Sequence, residues 1–257
     1  MYRWRGDTAR IVVQRHFYEG GFILEIRTDW DINVTADMLI KRMGGSRKGQ
    51  KMLGECLEVI DLGKKLLEPC TIYDIFSVKG IQGENVELEN GLSFKSEHLA
   101  KLLHGTDRIV VMARTIGPVL EEKVRYLSEQ GNFLTSYLLD VYANAAVVLL
   151  GKMMYRQIRE QYSSCGATVQ MEPGQLDWNI QEQTIVYKLV SFEKIGVTLA
   201  DSFLMIPVKS ATAVFGIGDP VKVQKGFPSC TYCSKKNKCT YREEVERINR
   251  EELGVEV

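Results

Sequence analysis

Three thiols are gathered near the end of the chain, in Cys230-Thr-Tyr-Cys233-Ser-Lys-Lys-Asn-Lys-Cys239. A C-x2-C turn puts two sulfurs within reach of one metal ion. A third thiol after five intervening residues can close one face of the coordination shell. Lys235, Lys236 and Lys238 favour thiolate over thiol. Cys230, Cys233 and Cys239 are therefore expected to hold zinc or an iron–sulfur cluster, with Cys70 or Cys165 as fourth ligand or with that position open. The alternatives are three reduced thiols on a basic loop, or Cys230 and Cys233 acting alone as a redox pair.

The second source of chemistry is backbone. Pro173-Gly174 marks a tight turn, and Pro207-Val-Lys-Ser210 separates two β-rich runs, Ser202–Ile206 and Ala211–Ile217. N–H groups in such loops are not committed to a ladder, so they suit a ligand that is polar at one end. The plainer reading makes both loops punctuation between packed elements.

The elements that position these loops follow from periodicity and capping. Asn179 reads as the N-cap of an amphipathic helix over Ile180–Lys194, with Glu182 as its capping-box partner. Ile180, Thr184, Tyr187 and Val190/Ser191 mark the face expected to pack on a sheet. Asp107–Thr115 predicts a central strand buried on both faces. Thr115-Ile-Gly-Pro118 turns it into a helix, where a glycine can serve an anion site but tight packing is the expected reason. Phe133–Tyr162 predicts the longest helix, apolar almost all round between Val141 and Leu150 and without an acidic residue between Asp140 and Glu160.

Upstream, Arg10–Gln14 and Gly21–Arg27 predict a hairpin on a sheet edge, with His16 at the surface. Asn33 or Thr35 caps a short helix through Met43. A longer helix over Lys48–Leu67 carries the stripe Met52, Cys56, Val59/Ile60 and Gly63. Thr71–Val78, Asn85–Leu88 and Leu92–Phe94 predict strands, the last two joined at Asn90-Gly91. Ser96–Leu103 predicts a short helix with His98 and His104 toward solvent. Three regions result: a hairpin-like extension over 1–31, a main domain over 32–221, and a Cys-rich tail with a charged helix, Tyr241–Leu253, over 222–257.

Composition bounds the function. The 257 residues are 45% hydrophobic and 26% charged, an ordinary globular balance. Thirty-three basic and thirty-three acidic side chains cancel. That argues against nucleic acid or an anionic membrane as partner. The N-terminus does not read as a secretory signal, and the run Ala145–Leu150 falls short of the about 20 residues of a span. A cytoplasmic setting is expected, where cysteines stay reduced, metal-bound or redox-active.

The run Glu172-Pro-Gly174, the segment Phe192-Glu-Lys-Ile-Gly196, Thr198-Leu-Ala-Asp-Ser-Phe-Leu-Met-Ile-Pro207 and Ser210-Ala-Thr-Ala-Val-Phe215 resemble the activation (reactivation) domain of cobalamin-dependent methionine synthase. They are more similar still to stand-alone relatives of that domain, and the resemblance extends more weakly upstream to about Ile32. It implies an α+β fold, a mostly antiparallel twisted sheet flanked by helices. It also implies a protein that binds S-adenosylmethionine and docks over the cobalamin of a corrinoid-binding protein or a truncated methionine synthase. A flavodoxin- or ferredoxin-type reductant would supply an electron for reductive methylation.

By position, the resemblance makes Pro173 and Gly174 the ligand loop and sets Ser210 and Phe215 on the opposite wall. Gln170 stands where the family has an arginine suited to clamp a carboxylate, and Gln175 where it has a tyrosine. Ala213, Val214 and Phe215 replace a glycine and tyrosines. These departures leave two alternatives: a corrinoid-docking module that carries a metal or iron–sulfur centre instead of S-adenosylmethionine, and a non-catalytic structural subunit.

Overall fold

A computed structural model describes residues 14–17, 23–44, 51–224 and 226. In chain order it forms β1 (Gln14–Phe17), β2 (Ile23–Arg27), α1 (Ala36–Arg42), α2 (Leu53–Leu66), β3 (Cys70–Gln82), β4 (Asn85–Leu88), β5 (Ser93–Lys95) and α3 (Glu97–Leu102). Then follow β6 (Arg108–Thr115), α4 (Val119–Glu129), α5 (Phe133–Gln161), β7 (Gly166–Ala167), α6 (Gln183–Leu189), β8 (Thr198–Leu199), β9 (Met205–Ile206) and β10 (Ser210–Gly218).

The sequence RIVVMART of β6 has no polar face between Ile109 and Ala113, and it lies inside the main sheet. That sheet has the strand order β1-β2-β3-β6-β10-β7, with antiparallel pairing throughout, and β4 and β5 branch from the far half of β3. The β1–β2 hairpin extends the edge beside β3. The fold is α+β, an antiparallel sheet flanked by helices.

Each face of the sheet makes its own core because strand side chains alternate. Ile109, Val111 and Ala113 join Ile72, Val214, Trp178, Val186 and Phe192 on one side. Val110 and Met112 join Tyr73, Phe215, Met154 and Tyr155 on the other, beneath α5. A further cluster, containing Cys56, Leu120, Leu139 and Tyr142, packs α5 against α2 and α4. Cys56 is thus a small core residue, as its place on the apolar stripe implies.

Helix α5 is long and apolar enough to cross a bilayer by length and composition alone. Here it is the core helix of the fold, with Leu138, Leu139, Tyr142, Ala146, Leu150 and Met154 buried along it.

The segment after Asn179 departs from the expected single helix. Asn179 Oδ1 does cap, accepting from Gln181 N, but it starts a short 3-10 turn, Ile180–Glu182. Helix α6 ends at Leu189, and a second 3-10 turn, Phe192–Ile195, follows. The buried face is Gln183, Val186, Leu189 and Val190, while Ile180 is exposed. Glu182 closes no capping box. Its Oε2 accepts from the Lys95 N–H at 3.0 Å and the Trp178 indole at 3.4 Å. The run expected as a strand from Ser202 shrinks to Met205–Ile206.

The glycine between β6 and α4 is there for packing. Gly117 has φ +80°, and a Cβ on it would lie 2.6 Å from Glu68 Cβ. Its N–H is bonded to Thr115 Oγ1 at 3.1 Å rather than offered to an anion. Gly117→Ala should lower stability by about 1–3 kcal/mol through left-handed strain and collision, read as a lower urea midpoint with unchanged slope.

Candidate functional site

The site region is built at the start of β10. After β7 the chain runs antiparallel along β10: Thr168 N bonds Gly216 O at 3.0 Å, and Met171 and Val214 exchange both bonds at 2.9 Å. This register carries Glu172, Pro173 and Gly174 toward the Ser210 end of the strand. The sequence supports the turn there, since Pro173 is buried and Gly174 adopts φ +91°.

The turn's own donors are mostly used. Gly174 N bonds Trp178 O at 2.7 Å, Gln175 N bonds Glu172 O at 3.1 Å, and the Glu172 N–H reaches Gln175 Oε1 at 3.2 Å. Trp178 is fully buried, with its ring edge-on to Phe94 at 5.3 Å. Asp177 ties the turn to α3. Its carboxylate accepts from Ser96 Oγ at 2.9 Å and Glu97 N at 2.6 Å, and sits 2.8 Å from His98 Nδ1. Burial works to raise the Asp177 carboxyl, but these hydrogen bonds outweigh it and hold it below its ordinary value.

The loop before β10 is likewise occupied, against the expectation of free N–H groups beside Ser210. Glu121, from α4, accepts from Val208 N at 2.8 Å and Lys209 N at 3.4 Å. Lys209 Nζ lies 2.7 Å from Asp140 and 2.9 Å from Asn144 Oδ1, both on α5. Ser210 Oγ bonds Thr115 Oγ1 at 2.9 Å.

Between these loops the structure places a residue that sequence reading passed over. Arg114, near the end of β6 and opposite Ala211 in register, is 6% exposed. Its Nε donates to Val147 O at 3.1 Å and its Nη2 to Glu172 Oε1 at 3.0 Å. Its Nη1 is buried without a partner. Space for the guanidinium comes from Gly151 on α5, where a Cβ would lie 2.5 Å from Arg114 Nε. The available signal was a charged residue closing a run of core-facing ones, a local conflict of the kind that marks functional or structural anchors.

The other expected site residues are placed as follows. Gln170 is half-buried between buried Val169 and Met171, and Gln175 closes its own turn. Ser210 and Phe215 do not share a wall. β10 pairs with β6 in unbroken register from Ser210 to Ile217, so residues five apart face opposite sides. Phe215 is fully buried beneath α5, edge-on to Tyr155 at 4.8 Å.

Cys230, Cys233 and Cys239 lie outside the described residues. Of the two other candidate ligands, Cys70 is buried, which pushes its thiol up to about 12 and disfavours the thiolate a metal needs. Cys165 is half-buried, 3.6 Å from Arg108 Nη2. Among the described residues no group of three His, Cys, Asp or Glu side chains is placed to hold a metal ion.

No family model matches the chain, and no curated protein matches it. Among solved structures, the crystal structure of the MetH reactivation domain bound to AdoHcy is similar to it. The likeness has a TM-score of 0.58 and 13% identity, and covers 100% of this chain and 96% of that one. The chain has the reactivation-domain fold. The resemblance read from residues 171–218 therefore extends to the fold of the described residues.

Because the Asp177 carboxyl is depressed in the fold, its stabilising bonds are in place above its ordinary value of 3.8 and are lost as pH falls through the lower folded value. The melting temperature of the intact chain should exceed that of Asp177→Asn at pH values above 3.8, and the margin should shrink as pH falls below that value.

Proposed function

We propose that this protein is a reactivation-type partner of a corrinoid methyltransferase. It binds an S-adenosylmethionine-type ligand at the start of β10 and docks over the cobalamin of a corrinoid-binding protein or a truncated methionine synthase, in a cytoplasmic setting. The single observation that carries this reading is a fold likeness that spans the whole of this chain and nearly all of a domain bound to AdoHcy.

The residues present fit such a ligand. A buried guanidinium with an unpartnered nitrogen is held against Gly151, and it already takes one carboxylate, that of Glu172. That is a donor set for an α-carboxylate. When bound, S-adenosylmethionine supplies an electrophilic methyl group. The chain's part is to orient the ligand and to keep the two loops in place through Glu121 and Asp177. Exposed Leu204, Ile206 and Val208 around the β9 loop, with Leu176 and Ile180 by the other loop, supply apolar surface for a partner.

Titration calorimetry with S-adenosylmethionine and S-adenosylhomocysteine should give micromolar or tighter binding; absence of heat with both would remove the ligand half of the reading. On a cobalamin-loaded partner, the Co(II) absorbance should convert to that of methylcobalamin only when this protein, the methyl donor and a flavodoxin- or ferredoxin-type reductant are all present. Ile206→Glu with Val208→Glu should weaken capture of that partner about tenfold or more and leave ligand binding unchanged. Retained capture would move the docking face elsewhere.

The spacing Cys230-x2-Cys233-x5-Cys239 favours a second reading, a thiolate-held zinc or iron–sulfur centre in the same protein. Metal analysis and the visible spectrum of anaerobically purified protein test it. A metal content that survives Cys70→Ser and falls in Cys233→Ser is the expected result.

A further inference from the structure

The most unusual group among the described residues is Arg114. A guanidinium carries five N–H donors in a rigid fork, and burial without full use of them is costly. Here Nε and Nη2 are each used once, while Nη1 is buried and unpartnered. The pair with Glu172 is made through Nη2 and one carboxylate oxygen, at 3.0 Å. A carboxylate that engaged Nη1 and Nη2 together would satisfy the end of the fork better.

The two partners differ in access. The Arg114 side chain is 7% exposed and that of Glu172 34%. Glu172 is thus the more solvent-accessible partner, next to an exposed glycine turn at Gly174. The guanidinium also rests on α5 through the Val147 carbonyl and the Gly151 cradle, which hold it in position whichever carboxylate it meets.

We infer that Arg114 is the carboxylate-binding residue of this site and that Glu172 is its internal stand-in, displaced when the α-carboxylate of an amino-acid-type ligand takes Nη1 and Nη2. The inference rests on the proposed reading that an S-adenosylmethionine-type ligand binds here. The exchange leaves the buried cation neutralised in both states, so no charge is stranded. The clamp thus comes from β6 rather than from the loop position held by Gln170.

The test uses the full chain and two probes, S-adenosylmethionine and its decarboxylated form, by titration calorimetry. S-adenosylmethionine should bind about tenfold to hundredfold more tightly, the range for a charge-assisted pair. Arg114→Gln should abolish that difference. Because this variant can fail to fold, Glu172→Gln provides an independent arm: it removes the competing charge and should tighten S-adenosylmethionine binding about tenfold while lowering the ligand-free melting temperature. Equal affinity of the intact chain for the two probes would overturn the inference and leave the ligand reading standing. Binding of neither would overturn both. Weaker binding in Glu172→Gln would make Glu172 a direct contact and end its role as stand-in.

Discussion

A guanidinium inside a sheet has to be neutralised and hydrogen-bonded where it stands, and Arg114 meets all of that demand but its Nη1 through three separate parts of the chain. The strand β6 carries it, the α5 carbonyl of Val147 accepts from it, and Glu172 balances its charge. Removing Glu172 would leave the more deeply buried charge behind without its counter-ion. The course of the chain after Met171 is therefore bound to the position of α5. Gly151 belongs to the same constraint, since any side chain there would occupy the space of the guanidinium.

The loops on either side obey a similar rule with acids supplied from a distance. Glu121 of α4 collects the N–H groups of Val208 and Lys209, and Asp177 collects those of Glu97 and His98. Lys209 in turn reaches Asp140 on α5. The start of β10 is thus polar and crossed by ionic contacts, whereas Phe215 and Ile217 farther along the strand are sealed under apolar α5. The strand is thus polar at one end and apolar at the other. Its loops gain order from carboxylates that would otherwise need water.

Several local signals in the sequence were reliable where short-range geometry decides. Thr35 caps α1 by accepting from Met38 N, Asn90-Gly91 makes its turn with Gly91 at φ +83°, and the uninterrupted apolar run of β6 lies inside the sheet. The segment after Asn179 was harder. Its apolar residues fit more than one helical face, and the hydrogen bonds between Gln183 and Thr212 on β10 select the face that is buried. Glu182 fitted a capping box by position, yet the distant Lys95 N–H and the neighbouring Trp178 indole claimed it.

From residue order alone one obtains the element types, the resemblance of residues 171–218 to a reactivation domain, and the two loops that punctuate it. Tertiary structure decided which charges meet. Arg114 and Glu172 are 58 residues apart in the chain, and no local pattern pairs them. It also decided that Ser210 and Phe215 part company, because the alternation of a continuous strand governs the direction of its side chains and an aligned motif does not reveal it. Capping, turn formation and periodicity act over a few residues and can be read in order. The neutralisation of a buried charge depends on whatever the fold brings within about 3 Å, and that is known only once the sheet has closed around it.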